Sequence, residues 1–199
     1  MSVARSVHAR TAATTPVARP NGWWAMVLTI ATEATLFGTV FGTYYYLRFK
    51  VPHWPPPGVP LPELTAPLTI SLVLALTSVP MALAVRASKQ RELGRTRTLV
   101  AAALVVQTGF FAMQWHLIAD DLGKFSPRGS AYGSIYYVML GLHEGHVAVG
   151  LLLDAWLLLK LAGGFTRYRL VATQAIAYYW HFVNVIALLV VGAQLSARI

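Results

Sequence analysis

Three acids and four imidazole or amide residues of this chain fall inside long apolar runs: Glu33, Glu144 and Asp154, with His143, His146, His181 and Asn184. An ionised side chain at mid-bilayer costs at least roughly 2.5 to 3.5 kcal/mol on insertion scales, so each acid demands a protonated form, a partner or water. Glu33 has no basic residue within its own helical turns. The string His143-Glu144-Gly145-His146 invites a zinc reading, but a zinc protease helix places its two histidines four residues apart and here the spacing is three. Pairing His143 or His146 with His181 or His116 across helices could ligate a haem, which makes a bis-His membrane cytochrome the competing class of protein. Gly133-Ser134 lies at the edge of an apolar run without the turn that a serine nucleophile needs. With no cysteine, disulfides, iron-sulfur clusters and thiolate copper sites are excluded.

The elements that must position these residues follow from composition. Hydrophobic residues make up 56% of the 199 and charged residues only 12%, about half the usual charged share, which identifies a membrane protein. A net charge of +9 comes from basic residues scattered between apolar runs rather than clustered on a polar face, so nucleic acid is not an expected partner. Five segments reach the roughly 20 apolar residues that a spanning helix needs: Trp23–Leu47, Ala66–Val85, Thr98–Leu117, Tyr136–Leu159 and Thr173–Leu195. The expectation is an all-α polytopic membrane protein, a five-helix bundle over residues 23–199 preceded by a retained tail over residues 1–22. The first apolar run is too long for the core of a cleaved signal.

Of the 16 Lys and Arg residues, eleven lie in the N-terminal tail and the second and fourth connections, and five on the alternate side. The positive-inside rule then puts the N-terminus in the cytoplasm and the C-terminus outside. Trp23, Trp24, Arg48 and Arg86 stand at span ends and are the candidate lipid-interface residues. The first outer loop, with Pro52, Pro55, Pro56, Pro57, Pro60 and Pro62, is expected to be a stiff, extended strap. Pro80 removes a backbone hydrogen bond inside the second span, where Thr77 and Ser78 could satisfy the freed carbonyls.

At 100° per residue, Thr35, Gly38, Thr39, Gly42 and Thr43 form a stripe expected to pack on another span, with Glu33 about 160° away facing a different neighbour. In the fourth span His143, His146, Gly150 and Asp154 share one face, while Gly141, Gly145 and Ala148 line the opposite one. The depths of these residues predict polar contacts from His143, His146 or Asp154 to His181 or Asn184.

Three stretches then carry a resemblance. Tyr178-Tyr179-Trp180-His181-Phe182-Val183-Asn184-Val185, the run Gly141-Leu142-His143-Glu144-Gly145-His146-Val147-Ala148-Val149-Gly150, and Glu33 followed by Leu36-Phe37 resemble subunit III of haem-copper terminal oxidases. The likeness covers Trp23 to about Gln194 and matches the short bacterial form, without the first two of seven helices. It implies a non-catalytic accessory subunit of a respiratory oxidase in the bacterial plasma membrane, binding no haem or copper itself. Its partners would be the catalytic subunit I, a copper-bearing or quinol-type subunit II, and structural phospholipid held in a cleft. The resemblance equates Glu33 with the membrane carboxyl that carbodiimides attack, and His143, His146 and His181 with the family's histidines, in a setting that supports proton uptake. Asn184 stands where Asp is usual, and Glu144 where a small residue is commoner. A subunit-III-like companion of nitric oxide reductase is the alternative within the superfamily.

The charge asymmetry sets the topology test: reporter tags at Met1 and after Arg91 should be cytoplasmic and one at Ile199 external. Protease access to the Ile199 tag from the cytoplasmic side alone would reverse the orientation.

Overall fold

The computed structural model describes residues 20–61 and 63–198. Residues 1–19 of the expected tail lie outside the described residues, and Asn21 and Gly22 already belong to the first helix. Six helical segments follow in order: α1 Asn21–Lys50, α2 Thr65–Leu76, α3 Ser78–Lys89, α4 Leu93–Leu122, α5 Ala131–Leu161 and α6 Arg167–Ser196. Since α2 and α3 are one span interrupted at Thr77, five helices are long and apolar enough to cross a membrane. Each contains one of the expected segments.

The break has a local cause. Pro80 has no N–H to give to the carbonyl four residues back, and the chain tightens just before it. The Thr77 backbone N–H and side-chain hydroxyl both donate to the Leu74 carbonyl, at 3.0 and 2.6 Å, and the ladder resumes with Met81 N–H donating to the Thr77 carbonyl at 3.2 Å.

Helix α6 is the centre of the bundle and α1 its edge. Of the most apolar stretch of each, 56% is buried in α6 and 11% in α1. Helix α6 contacts α1, α2, α3 and α5, whereas α1 meets only α5 and α6. Lipid is as apolar as leucine, so helices in a membrane associate through close packing and interhelical hydrogen bonds rather than hydrophobic burial. Gly150 of α5 shows how close: a Cβ built there would lie 2.6 Å from Cζ2 of Trp180, so the missing side chain is the notch that seats the indole. Around it pack Leu74, Met81, Val100, Val147, Leu157 and Val183. A second cluster, Phe37, Tyr44, Tyr132, Tyr136, Met139 and Ile186, joins α1, α5 and α6.

Side-chain caps start α5 and α6. Ser130 Oγ accepts from Gly133 N–H at 3.0 Å to start α5, and Thr166 Oγ1 accepts from Arg169 N–H at 3.3 Å to start α6. The Arg97 guanidinium of α4 donates to the Leu161 carbonyl at the end of α5, placing a cation on the negative end of that helix. In the connection from α4 to α5, Lys124 Nζ lies 3.0 Å from Asp121 Oδ1, which holds the ammonium above its ordinary pKa; Tyr136 donates to the other oxygen of Asp121 at 2.7 Å.

Two expectations are corrected here. The strap is not extended: residues 51–55 bend repeatedly and Val59 N–H closes a turn on the Pro56 carbonyl, with Gly58 at φ +90°. Its Trp54 turns inward to lie edge-on against Tyr44 and Tyr132, centroids 5.5 and 5.1 Å away, and this aromatic contact outweighs the proline preference for an open path. The stripe of Thr35, Gly38, Thr39, Gly42 and Thr43 does not pack within the chain. It faces outward, nothing lies within 4 Å of a Cβ built on either glycine, and each threonine hydroxyl returns to the carbonyl four residues back. The buried face of α1 is instead the one with Phe37, Val40 and Tyr44.

Filling the notch tests the packing. Gly150→Leu should lower stability by about 1–3 kcal/mol, as for other overpacked cores, read as a lowered unfolding midpoint in detergent. An unchanged midpoint would mean that the indole swings clear at no cost.

Candidate functional site

Glu33 lies one turn before Phe37 on the inward face of α1, and its carboxyl reaches α5. Glu33 Oε2 and His146 Nε2 are 2.9 Å apart, while His146 Nδ1 lies 2.6 Å from the Leu142 carbonyl. That carbonyl can only accept, so Nδ1 carries a proton. Nε2 then either accepts the proton of a neutral Glu33 or, as imidazolium, donates to the carboxylate. Both arrangements place one proton between the two groups and leave the pair neutral, which answers the cost of an acid inside a membrane. The Phe37 ring packs against the imidazole at 5.0 Å, and Tyr179 of α6 donates to the His146 backbone carbonyl at 2.9 Å. Three spans thus meet at one histidine.

The pair is not sealed. A groove of about 260 Å³ between α1 and α5 is lined by Glu33, His146, Thr29, Tyr179 and the bare backbone of Gly141 and Gly145. The side chains of Glu33 and His146 remain 28% and 15% exposed in it, so a lipid-soluble reagent can reach them.

The other intramembrane polar residues are spread through the bundle. His143 is buried with its ring 6.0 Å from Phe110 of α4, and neither ring nitrogen makes a hydrogen bond. Glu144 is equally buried, with both oxygens unpaired. Asp154 is fully buried and meets Gln107 of α4, whose amide, turned to face its acceptors, donates to Asp154 Oδ2 at 2.9 Å and to the Ala103 carbonyl at 3.2 Å. The expected contacts from these residues to His181 and Asn184 are not made. Asn184 Nδ2 donates instead to Ser78 Oγ at 2.8 Å and, at 3.4 Å, to Thr77 Oγ1 across the broken span. His181 lines shallow hollows beside Ser78, Arg86 and Trp23. The reason is helix rotation: Tyr179 and Trp180 take the α5 side of α6, and His181 is turned roughly 100–200° away from them.

This arrangement separates the histidines that a haem would need to face each other. His146 has both nitrogens engaged, His143 packs against Phe110 of α4 while His181 lines hollows beside Trp23, Ser78 and Arg86, and His116 is 69% exposed beside Asp120 at the end of α4. Among the described residues, no three His, Asp or Glu side chains gather to hold a metal ion. The sequence reading missed Gln107 and Tyr179. Gln107 was detectable, since it shares the seven-residue repeat of Val100, Gln107 and Gln114 on the core face of α4. Of the four candidate lipid-interface residues, Trp23 and Trp24 stack edge-on at one end of α1 and Arg48 occupies its other end; Arg86 lies in the last turn of α3.

Residues 6–192 match the family described as Cytochrome c oxidase subunit III. Cytochrome c oxidase subunit 3 of Petromyzon marinus is 31% identical over 170 residues, which cover 82% of this chain and 64% of that protein. The corresponding protein of Gallus gallus is 30% identical over 179 residues, 86% of this chain and 68% of that one. A probable cytochrome c oxidase subunit 3 of Nocardia farcinica (strain IFM 10152) is 28% identical over 166 residues, covering 80% of each. The chain therefore spans slightly less than two thirds of the Petromyzon marinus protein and four fifths of the bacterial one.

The open groove and the shared proton give a labelling prediction. A hydrophobic carbodiimide, which reacts with a neutral carboxyl, should modify Glu33 and leave the enclosed Glu144 intact, and Glu33→Gln should abolish the adduct. An adduct mapped by mass spectrometry to Glu144 would show that the groove is not the entry.

Proposed function

The chain belongs to the cytochrome c oxidase subunit III family, and from that premise we propose that it is a non-catalytic accessory subunit of a respiratory haem-copper oxidase. It packs against the catalytic subunit I, beside a copper-bearing or quinol-type subunit II, in a bacterial plasma membrane. The names of its relatives support the oxidase over a nitric oxide reductase, and the bacterial relative supports the location. Haem and copper belong to the partner subunits in this reading. The tail is cytoplasmic and the C-terminus external, as the basic residues direct.

The observation that carries the reading is the contact between two of the three stretches that bear the resemblance: Glu33 from the first and His146 from the second come within hydrogen-bond distance, 2.9 Å, inside the membrane-spanning bundle. Moving a proton from one member of such a pair to the other leaves the pair neutral overall, so a proton can shift between α1 and α5 without an isolated charge in hydrocarbon. It supports a role in proton uptake by the complex rather than in electron transfer. Phospholipid along the outward faces of α1 and α5 completes the proposed assembly, since the small-residue stripe and the groove leave those faces uncovered.

Purification through a tag on this chain tests the assignment. A haem-copper catalytic subunit should co-purify, with Soret absorbance that stays with the partner when the complex is split. Stoichiometric haem on the isolated chain would establish the cytochrome instead. His181 supplies a finer test, because its imidazole makes no hydrogen bond among the described residues and faces outward beside Arg86. His181→Phe should weaken retention of the subunit about fivefold, as loss of one hydrogen bond worth about 1 kcal/mol would. The initial turnover rate should change little while the working life shortens. Immediate loss of most activity with the subunit still bound would place His181 in an essential proton or redox site.

A further inference from the structure

Where α1 and α6 end on the same side of the bundle, the proline strap folds back and borders an open cavity of about 700 Å³. Arg48, His53 and Arg198 line it together with Phe49, Trp54 and Leu61, and no Asp or Glu is among the described residues that line it. Arg48 lies 25 residues beyond Trp23, about 37 Å along the helix, which exceeds a hydrocarbon core of roughly 30 Å. The basic side chains therefore sit at headgroup depth. Phe49 is 79% exposed and Val51 and Leu61 are also exposed, so the rim of a basic cavity is apolar.

The wall is built in advance. Trp54 is clamped between Tyr44 and Tyr132, and the turn from Pro56 to Val59 fixes the chain beyond it, so a ligand need order little on entry. The carbonyl ends of α1 and α6 also point to this side and oppose an anion. Against them stand the Arg48 guanidinium and the His53 imidazole, with Arg198 on the same wall, and a guanidinium offers a planar fork matched to two phosphate oxygens.

We propose that this cavity binds a phosphate group, supplied by the headgroup of an anionic phospholipid or by free inorganic phosphate. The proposal rests on the reading of the chain as a membrane subunit that carries lipid, and it adds the site and the chemistry recognised. The apolar rim supplies a place for acyl chains beside the bound phosphodiester.

The test uses the purified oxidase complex in nanodiscs of phosphatidylcholine with a minor share of phosphatidylglycerol. Native mass spectrometry counts the phosphatidylglycerol retained on the subunit with and without added inorganic phosphate. The wild type should hold it at least tenfold more tightly than a variant carrying both Arg48→Gln and Arg198→Gln, and His53→Gln on the strap should give a smaller loss in the same direction. Lys124→Gln, which removes a cation elsewhere on the same side, should change nothing. Displacement of the lipid by inorganic phosphate in the wild type alone would identify free phosphate as the natural occupant of the same site. Equal retention by wild type and both cavity variants, or an equal loss with Lys124→Gln, overturns the proposal. Because assembly with the catalytic subunit is read in the same spectra, a chain that assembles but shows no preference refutes the site and leaves the accessory function standing. A chain that does not assemble refutes the function instead, and the site is then read on the chain alone in the same nanodiscs.

Discussion

A carboxyl group in hydrocarbon has no water to share its proton or charge with, and in this chain the answer to that constraint is an imidazole from another helix. Glu33 and His146 meet at 2.9 Å, and the Leu142 carbonyl fixes which nitrogen of the ring faces the acid. Much of the packing on that side serves this meeting. Phe37 braces the ring, Tyr179 ties the backbone at His146 to α6, and the contact draws the least buried span, α1, onto the bundle. Without the pair, α1 would keep its aromatic contacts near Tyr44 but carry an unpaired acid near mid-membrane, a cost of several kcal/mol on any insertion scale.

Helix α6 translates this constraint into an arrangement of all five spans. Its successive residues engage different neighbours: Tyr179 reaches α5 through the His146 carbonyl, Trp180 fills the notch at Gly150, and Asn184 reaches across to the break between α2 and α3. A helix that bonds in several directions cannot rotate without breaking contacts on every side. This explains why the buried share of α6 is so large in a protein that gains little from hydrophobic burial in lipid.

The five spans and the all-α class were legible in the sequence because twenty consecutive apolar residues in a membrane leave the backbone no alternative to a helix. The residues of the site were legible for the same reason, since polar groups stand out against hydrocarbon. Their partners were not. Depth along a span can be read by counting, but which neighbour a residue meets depends on the order and rotation of helices, which hydropathy does not encode. Hence His181 and Asn184 were expected to face α5 and instead face the second span, and the threonine-glycine stripe of α1 was expected inside and lies outside. Trp54 shows a further limit: prolines predict a stiff strap, but the aromatic pocket that folds it inward needs Tyr132, distant in the chain, beside Tyr44 at the end of α1.

The amide at position 184 has a physical account. The Thr77 hydroxyl spends its proton on the Leu74 carbonyl in the tightened turn ahead of Pro80, so its oxygen can only accept from any other group. Ser78 beside it is approached by the same amide nitrogen. A primary amide has two N–H groups and can donate to both hydroxyl oxygens at once, which the structure shows at 2.8 and 3.4 Å. An ionised aspartate in its place would have nothing to donate to the Thr77 oxygen, and a protonated one could donate to only one of the two hydroxyls. Asparagine therefore suits a second span broken at Thr77: it places no titratable group in the membrane and uses its two N–H groups to clasp the two halves of the span to the central helix.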